Sequence, residues 1–158
     1  MIRSDWSCYG GGKDMSVQEM QRLDDQGIKA WDDHDPEAWA AMFADNFEWS
    51  DDSQPGPLNT KESAKQFMQA WITAFPDMRM RTLNRVIGDD AVGAEIEFRG
   101  TNKGPLAMGG QTIPPTNKSV IGHGTYFAKA QGGKIVQFHS HPNLAEMMGQ
   151  LGLTGGPM

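Results

Sequence analysis

Behind Ser16, the apolar residues Val17, Met20, Leu23, Gly27, Ile28 and Trp31 recur every three or four positions. At about 100° per residue they share one helix face, and Ser16 with Glu19 makes a capping box at its start. The pattern predicts a helix running to about His34. Asp35-Pro36 restarts the chain with a capping carboxylate and a proline suited to the first helical position. Trp39, Met42 and Phe43 give this short second helix its apolar face. Phe47–Ser50 alternates like a short strand, and Gln54-Pro55-Gly56-Pro57 reads as loop. Thr60 caps a third helix, on which Ala64, Phe67, Met68, Trp71, Ile72 and Phe75 form the cleanest stripe in the chain before Pro76-Asp77 stops it.

From Met78 the period drops to two. Strands are predicted over Met78–Ile87 and Ala91–Thr101, turned by Gly88-Asp89-Asp90. In the second of these, Val92, Ala94, Ile96 and Phe98 lie on one face, and Glu95, Glu97 and Arg99 on the other. Gly104–Thr116, with its prolines and glycines, reads as a long irregular connection. Two further strands, Lys118–Ala130 and Lys134–His141, flank Gln131-Gly132-Gly133, and an amphipathic helical segment over Leu144–Leu151 closes the pattern. Helices first and a strand meander afterwards specify an α+β fold. The expectation is a curved antiparallel sheet wrapped over three helices, a cone with an internal pocket. Residues 1–14, with Gly10–Gly12, read as a flexible leader, and residues 15–158 as one domain.

Several phrases are similar to a known family. Ala30-Trp31-Asp32-Asp33-His34-Asp35 with Phe43-Ala44-Asp45-Asn46, Ala70–Asp77, Gly100–Pro105 with Pro114-Pro115-Thr116, Gly133–Val136 and Gln150–Leu153 occur in the order found in the SnoaL-like polyketide cyclases. Those belong to the nuclear-transport-factor-two-like superfamily of cystatin-like α+β cones. The resemblance covers about residues 15–153. It implies a homodimer, one deep and mostly apolar pocket per subunit, and chemistry without metal or cofactor. In the cyclases an aspartate on the last strand acts as acid/base in an aldol closure, assisted by a histidine on the preceding strand. Counted from Lys134-Ile135, those positions fall on Ser140 and Tyr126. A serine hydroxyl cannot hold a proton near neutral pH as a carboxylate does, so the mechanism does not transfer intact. The related limonene-epoxide hydrolases need an Asp–Arg–Asp set, and none is legible in the sequence.

Charge and composition narrow the partners. Fourteen Lys and Arg against 20 Asp and Glu leave a net charge of −6 in 158 residues. Such a chain has no electrostatic reason to follow a phosphate backbone or an anionic membrane. Apolar runs such as Ala38–Phe43 fall far short of the ~20 residues of a membrane span. The one cysteine, Cys8, forms no internal disulfide and excludes a Cys-rich metal site. A cytoplasmic location follows as the expectation.

The candidate chemistry lies on the last two strands. His123, His139 and His141 are brought near each other by the Gly132-Gly133 hairpin, and histidine is the side chain best able to exchange a proton at pH 7. Strict alternation sets His139 and His141 on the face opposite Ser140, and His123 opposite Tyr126. Ser140 shares the pocket with those histidines only if Pro142 or a bulge re-aims the strand end, and His123 shares it with Tyr126 only across a bulge, for which Gly122 and Gly124 offer a place. His-x-His together with His123 supplies three imidazoles of a zinc set, but no fourth ligand stands at a suitable spacing, so no metal is expected. Tyr126 is a candidate hydrogen-bond donor to an enolate oxygen, and Asn102 and Asn143 are candidates to orient a carbonyl. Trp49, Trp31 and Phe98 are candidate ligand-contacting aromatics. Asp51 follows Trp49 by two and shares its face; desolvated there, it would hold its proton to higher pH and serve as the missing acid/base. The reading is a pocket for a small lipophilic carbonyl or polyketide-like compound, with cofactor-free isomerisation, dehydration or aldol-type chemistry by His123, Tyr126, Ser140, His141 or Asp51. The alternative is a binding protein without turnover.

Overall fold

The computed structural model describes residues 15–153. The leader expected at 1–14 and residues 154–158 lie outside them. Helix α1 (Val17–Asp32) opens with the capping box, in which the Ser16 side chain accepts from the Glu19 amide and Glu19 returns the bond. His34 then takes a left-handed conformation, φ 57°, and its Nε2–H donates to the Met78 carbonyl at 2.8 Å, tying the helix exit to the sheet. Helix α2 (Pro36–Ala41) is capped by Asp35, β1 spans Phe43–Asp51, and α3 (Lys61–Ala74) is capped by Thr60. Strands β2 (Arg79–Ile87), β3 (Ala91–Thr101), β4 (Leu106–Met108), β5 (Gln111–Ile113), β6 (Ser119–Gln131) and β7 (Lys134–Pro142) follow, and then α4 (Leu144–Gln150).

The main sheet has the order β1-β7-β6-β3-β2. Three of its four pairings are antiparallel, as expected for a meander, but β1 runs parallel to β7. The meander is antiparallel as expected, and the parallel β1 makes the sheet mixed. No hairpin links β1 to β7; the whole of α3 and the meander lie between them, and a crossover that long frees the added strand to run in parallel. A correction concerns Gly104–Thr116. Inside it β4 and β5 form a two-residue hairpin turned by Gly109 and Gly110, with φ of 59° and 77°. Both central residues having positive φ is the requirement of a type I′ turn, which glycine meets without steric cost.

Strand register decides which side chains face the helices. No bulge occurs at Gly122–Gly124: β6 pairs with β3 without a break from Ala91↔Lys129 to Thr101↔Ser119. On the far side of β3, register shifts on β2, between Thr82 and Asn84. The extra residue there turns Leu83 and Val86 to solvent and Arg85 toward the helices. A core of Met20, Leu23, Trp39, Phe43, Trp49, Phe67, Met68, Val92 and Phe138 fills most of the space between helices and sheet.

Beyond Gly124, β6 outlasts its partner β7, whose pairing stops at Pro142. Side chains of α4 take over that edge. Gln150 accepts from the Ile121 amide and donates to the Ile121 carbonyl, both at 2.7 Å. Glu146 accepts from the His123 amide at 3.0 Å, and the Asn143 amide donates to the His123 carbonyl at 2.8 Å. Among the described residues, no helix is long and apolar enough to cross a membrane.

Candidate functional site

One row of residues crosses the entire sheet on its helix side. Asp51 (β1), Ser140 (β7), Tyr126 (β6), Ala94 (β3) and Arg85 (β2) are successive register partners, and cross-strand partners project to the same face. The row beside it is apolar: Trp49, Phe138, Ala128, Val92 and Ile87. On the other side come Gly124 and Gly122 of β6, paired with Ile96 and Phe98. Gly122 leaves room unfilled, and a cavity of about 130 Å³ lies between this part of the sheet and helices α1 and α3. That is close to the ~150 Å³ apolar cavity that accommodates one benzene ring. Trp31, Trp49, Trp71, Phe67, Phe98 and Phe138 supply most of its aromatic wall.

Two polar groups interrupt the wall. At one, the Trp49 indole N–H donates to Ser140 Oγ at 3.0 Å, and the Ser140 hydroxyl donates to Asp51 Oδ2. The other oxygen, Oδ1, accepts from the Ser53 amide at 2.8 Å and from the Ser53 hydroxyl. The chain folds this way locally because an aspartate readily accepts from the amide two residues on, a turn that here ends β1. Asp51 is only 8% exposed. All of its hydrogen-bond partners are neutral, so its charge meets no cation.

At the other, the Tyr126 hydroxyl donates to Asp24 Oδ1 at 2.5 Å, while Arg85 Nη1 donates to Asp24 Oδ2 at 2.8 Å and to Asp25 Oδ1 at 2.6 Å. Burial, and then the charge of Asp24, push the Tyr126 phenol far above its ordinary value of 10, so it stays protonated. Bonding to Asp25 and Asp24 likewise raises the Arg85 guanidinium. The charge of Asp24 is thus compensated where that of Asp51 is not. Arg85 thus lies between two neighbouring aspartates of α1, of which only Asp24 lines the cavity.

The remaining candidates separate. Trp31, Trp49, Phe98, Asp51, Tyr126 and Ser140 line the cavity, as does Asn143 at its rim. Asn143 spends its side-chain oxygen capping α4, through the Glu146 amide. His123 touches the rim, but unbroken alternation turns its ring outward, where Nδ1 meets Glu146 at 2.9 Å. His141 is exposed, bonded to Asp52 at 2.9 Å, and is absent from the lining. The expectation of His123 or His141 as an interior proton carrier therefore meets a geometric obstacle: the bulge that would have turned them inward does not exist. Asn102 is fully buried outside the cavity, donating to the Gly104 and Ala74 carbonyls and accepting from Thr116. With every polar atom occupied, it braces the 102–116 connection and has nothing left for a ligand. Among the described residues the three strand histidines gather no metal set.

Asp24 and Arg85 escaped the sequence reading. Asp24 stands four residues after Met20 and four before Ile28, inside the apolar stripe of α1, a signal that was available. Arg85 had none, because alternation along β2 without its bulge points it outward.

On the outer side of the sheet, Glu97 is held by Arg81 (Nε 3.0 Å, Nη2 3.1 Å) and Arg99 (Nε 2.5 Å). The bond from Arg99, followed by that from Arg81, lowers its carboxyl to about 2.

Residues 21–151 match the family model described as SnoaL-like polyketide cyclase. Among solved structures, AclR of Streptomyces galilaeus is 19% identical with a TM-score of 0.75, covering 89% of this chain and 100% of its own. IdmH of Streptomyces antibioticus is 21% identical with a TM-score of 0.70, over 84% of this chain and 97% of its own. A Catenulispora acidiphila protein with a ketosteroid isomerase-like fold, in complex with trimethylamine, is 15% identical with a TM-score of 0.70, over 85% and 97%. No curated protein matches the chain.

Proposed function

The chain belongs to the SnoaL-like polyketide cyclase family, and from that premise we propose that its cavity binds a small lipophilic carbonyl compound and moves a proton on it without a cofactor. One observation carries the reading: Asp51, buried in the cavity wall among neutral donors, accepts the hydroxyl proton of Ser140. Ser140 stands where the resemblance places the cyclases' aspartate, so the neighbouring strand brings a carboxylate to almost the same spot. Asp51 takes a proton from the carbon beside the substrate carbonyl. The resulting enolate then takes that proton back from Asp51 at another carbon (isomerisation), expels a β-hydroxyl that leaves as water with the proton (dehydration), or closes on a second carbonyl whose alkoxide oxygen receives it (aldol step). Tyr126 acts as an acceptor here, since its own proton is committed to Asp24. The neighbour holding trimethylamine supports a small organic ligand in this fold.

The test is a panel of cyclic enones, β-hydroxy ketones, ketosteroids, polyketide esters and epoxides. Turnover is expected to fall by about 10²–10⁴-fold in Asp51→Asn, the range that positioned acid–base catalysis contributes. Turnover within threefold of wild type in that variant overturns the reading. A second reading, binding without chemistry, is favoured by the commitment of Tyr126 to Asp24, which leaves the inner wall without a free hydroxyl donor. Ligand-dependent thermal stabilisation with no product supports it.

The outer sheet face carries exposed Val86 (77%) and Phe127 (41%) beside the Glu97 cluster, and a homodimer is proposed through it. Sedimentation is expected to give twice the 17.4 kDa chain mass for wild type and the single mass for Phe127→Lys.

A further inference from the structure

The cavity wall carries two carboxylates, Asp24 and Asp51, and neither a lysine nor an arginine. Arg85 neutralises Asp24 from behind. Asp51 has three hydrogen bonds, from the Ser53 amide, the Ser53 hydroxyl and the Ser140 hydroxyl, and none of these donors is charged. Enclosed charge of this kind is costly until a counter-charge arrives. Three donors along this wall are spent, Trp49 N–H on Ser140, Ser140 on Asp51 and Tyr126 on Asp24, while the buried Trp39 N–H stands without a partner among the described residues. What faces the cavity is therefore an aromatic box whose only uncompensated charge is negative. Trp31 meets Phe67 edge-to-face at 6.1 Å, and Trp71 meets Phe98 edge-to-face at 5.6 Å. Ring faces attract cations through their quadrupoles, most strongly where water is excluded. The net charge of −6 adds a long-range pull of the same sign.

We infer that the cavity selects small lipophilic cations, tertiary or quaternary ammonium groups, with Asp51 as counter-ion and the surrounding rings as walls. The inference uses the same cavity as the proposed function, but the charge of Asp51 rather than its basicity, so it stands or falls apart from turnover.

Isosteres separate the two. Choline and 3,3-dimethyl-1-butanol have the same shape and differ in charge, and each is titrated into the protein by calorimetry with tryptophan fluorescence as a second readout. Choline is expected to bind about tenfold tighter than the neutral alcohol. In Asp51→Asn that preference is expected to shrink to threefold or less, with the alcohol's own affinity within twofold of wild type. Trp31→Leu, which keeps Asp51, is expected to lose part of the preference. The wild-type comparison alone decides the matter if a variant does not fold. Equal or tighter binding of the alcohol, an unchanged preference in folded Asp51→Asn, or no binding of choline overturns the inference. Turnover of a neutral carbonyl without choline binding leaves the proposed function intact. Choline binding without any turnover does the reverse.

Discussion

Tyr126 and Ser140 face each other in register across β6 and β7, yet their protons go opposite ways, Tyr126 to Asp24 and Ser140 to Asp51. The sheet row thus divides into two hydrogen-bonded groups ending on two carboxylates, only one of which meets an arginine. That asymmetry separates a carboxylate neutralised by an arginine from one whose hydrogen-bond donors are all neutral.

Ser140→Ala removes the link between Trp49 and Asp51 without touching either. The indole N–H and one carboxylate oxygen lose their partner, and a loss of about 1–3 kcal/mol is expected. Urea unfolding of the variant checks this; stability equal to wild type would show that the two groups find other partners.

Arg85→Met strips Asp24 of its cation while retaining the side chain's apolar length. A buried carboxylate left alone costs about 3–5 kcal/mol. The Arg85→Met, Asp24→Asn pair should recover much of that loss, because the amide carries no charge to strand. Chemical denaturation of the two variants tests both the cost and its recovery.

The Tyr126 phenol is raised above its unfolded value of 10. Its contribution to stability is complete below pH 10 and is lost as pH climbs, because the unfolded chain releases a proton that the native chain keeps. Wild-type stability is expected to fall above pH 10 more steeply than that of Tyr126→Phe, by about 1.4 kcal/mol per pH unit. Parallel curves for the two proteins would contradict the buried bond.

For Glu97 the sign reverses. Its carboxyl sits near 2 in the fold against an ordinary 4.5, so its stabilisation is complete above pH 4.5 and disappears as pH falls toward 2. Glu97→Gln should flatten the acid limb of the stability curve over that window, as read by thermal unfolding from pH 6 to 2.

Two glycines on β6 should respond in opposite ways. At Gly122 an added Cβ meets only Val120 Cγ1 at 3.7 Å and Phe98 Cδ1 at 3.8 Å, so alanine fits and valine intrudes on the cavity. At Gly124 it meets the backbone of Pro142 and His141 at 3.1 and 3.2 Å. Gly122→Val is expected to keep the fold and lose ligand affinity, whereas Gly124→Ala costs about 1–3 kcal/mol. Melting curves with and without ligand distinguish them.

Most elements were legible because each states its own period. The α3 stripe and the alternation of Val92, Ala94, Ile96 and Phe98 need no tertiary information. Asp51 was reachable for the same reason, sharing a strand face with Trp49. What escaped depends on events that leave no local mark. A register shift near Leu83 inverts the parity of β2 and delivers Arg85 inward, although the surrounding residues carry no turn signal. The glycines flanking His123 pointed to a bulge, but they serve other purposes: Gly122 leaves space beside the cavity and Gly124 admits the backbone of Pro142 and His141. The parallel pairing of β1 with β7 joins segments more than 80 residues apart, a distance over which alternation carries no orientation.

Gln150 and Glu146 stand in for a missing strand along the first residues of β6, one amide side chain answering both polar groups of Ile121. Cutting the chain ahead of Leu144 would therefore do more than shorten it. The cut would bare the peptide groups of Ile121, itself half-exposed, an inviting ledge for another molecule's backbone. Helix α4 thus doubles as a cover for that edge against backbone pairing with another molecule.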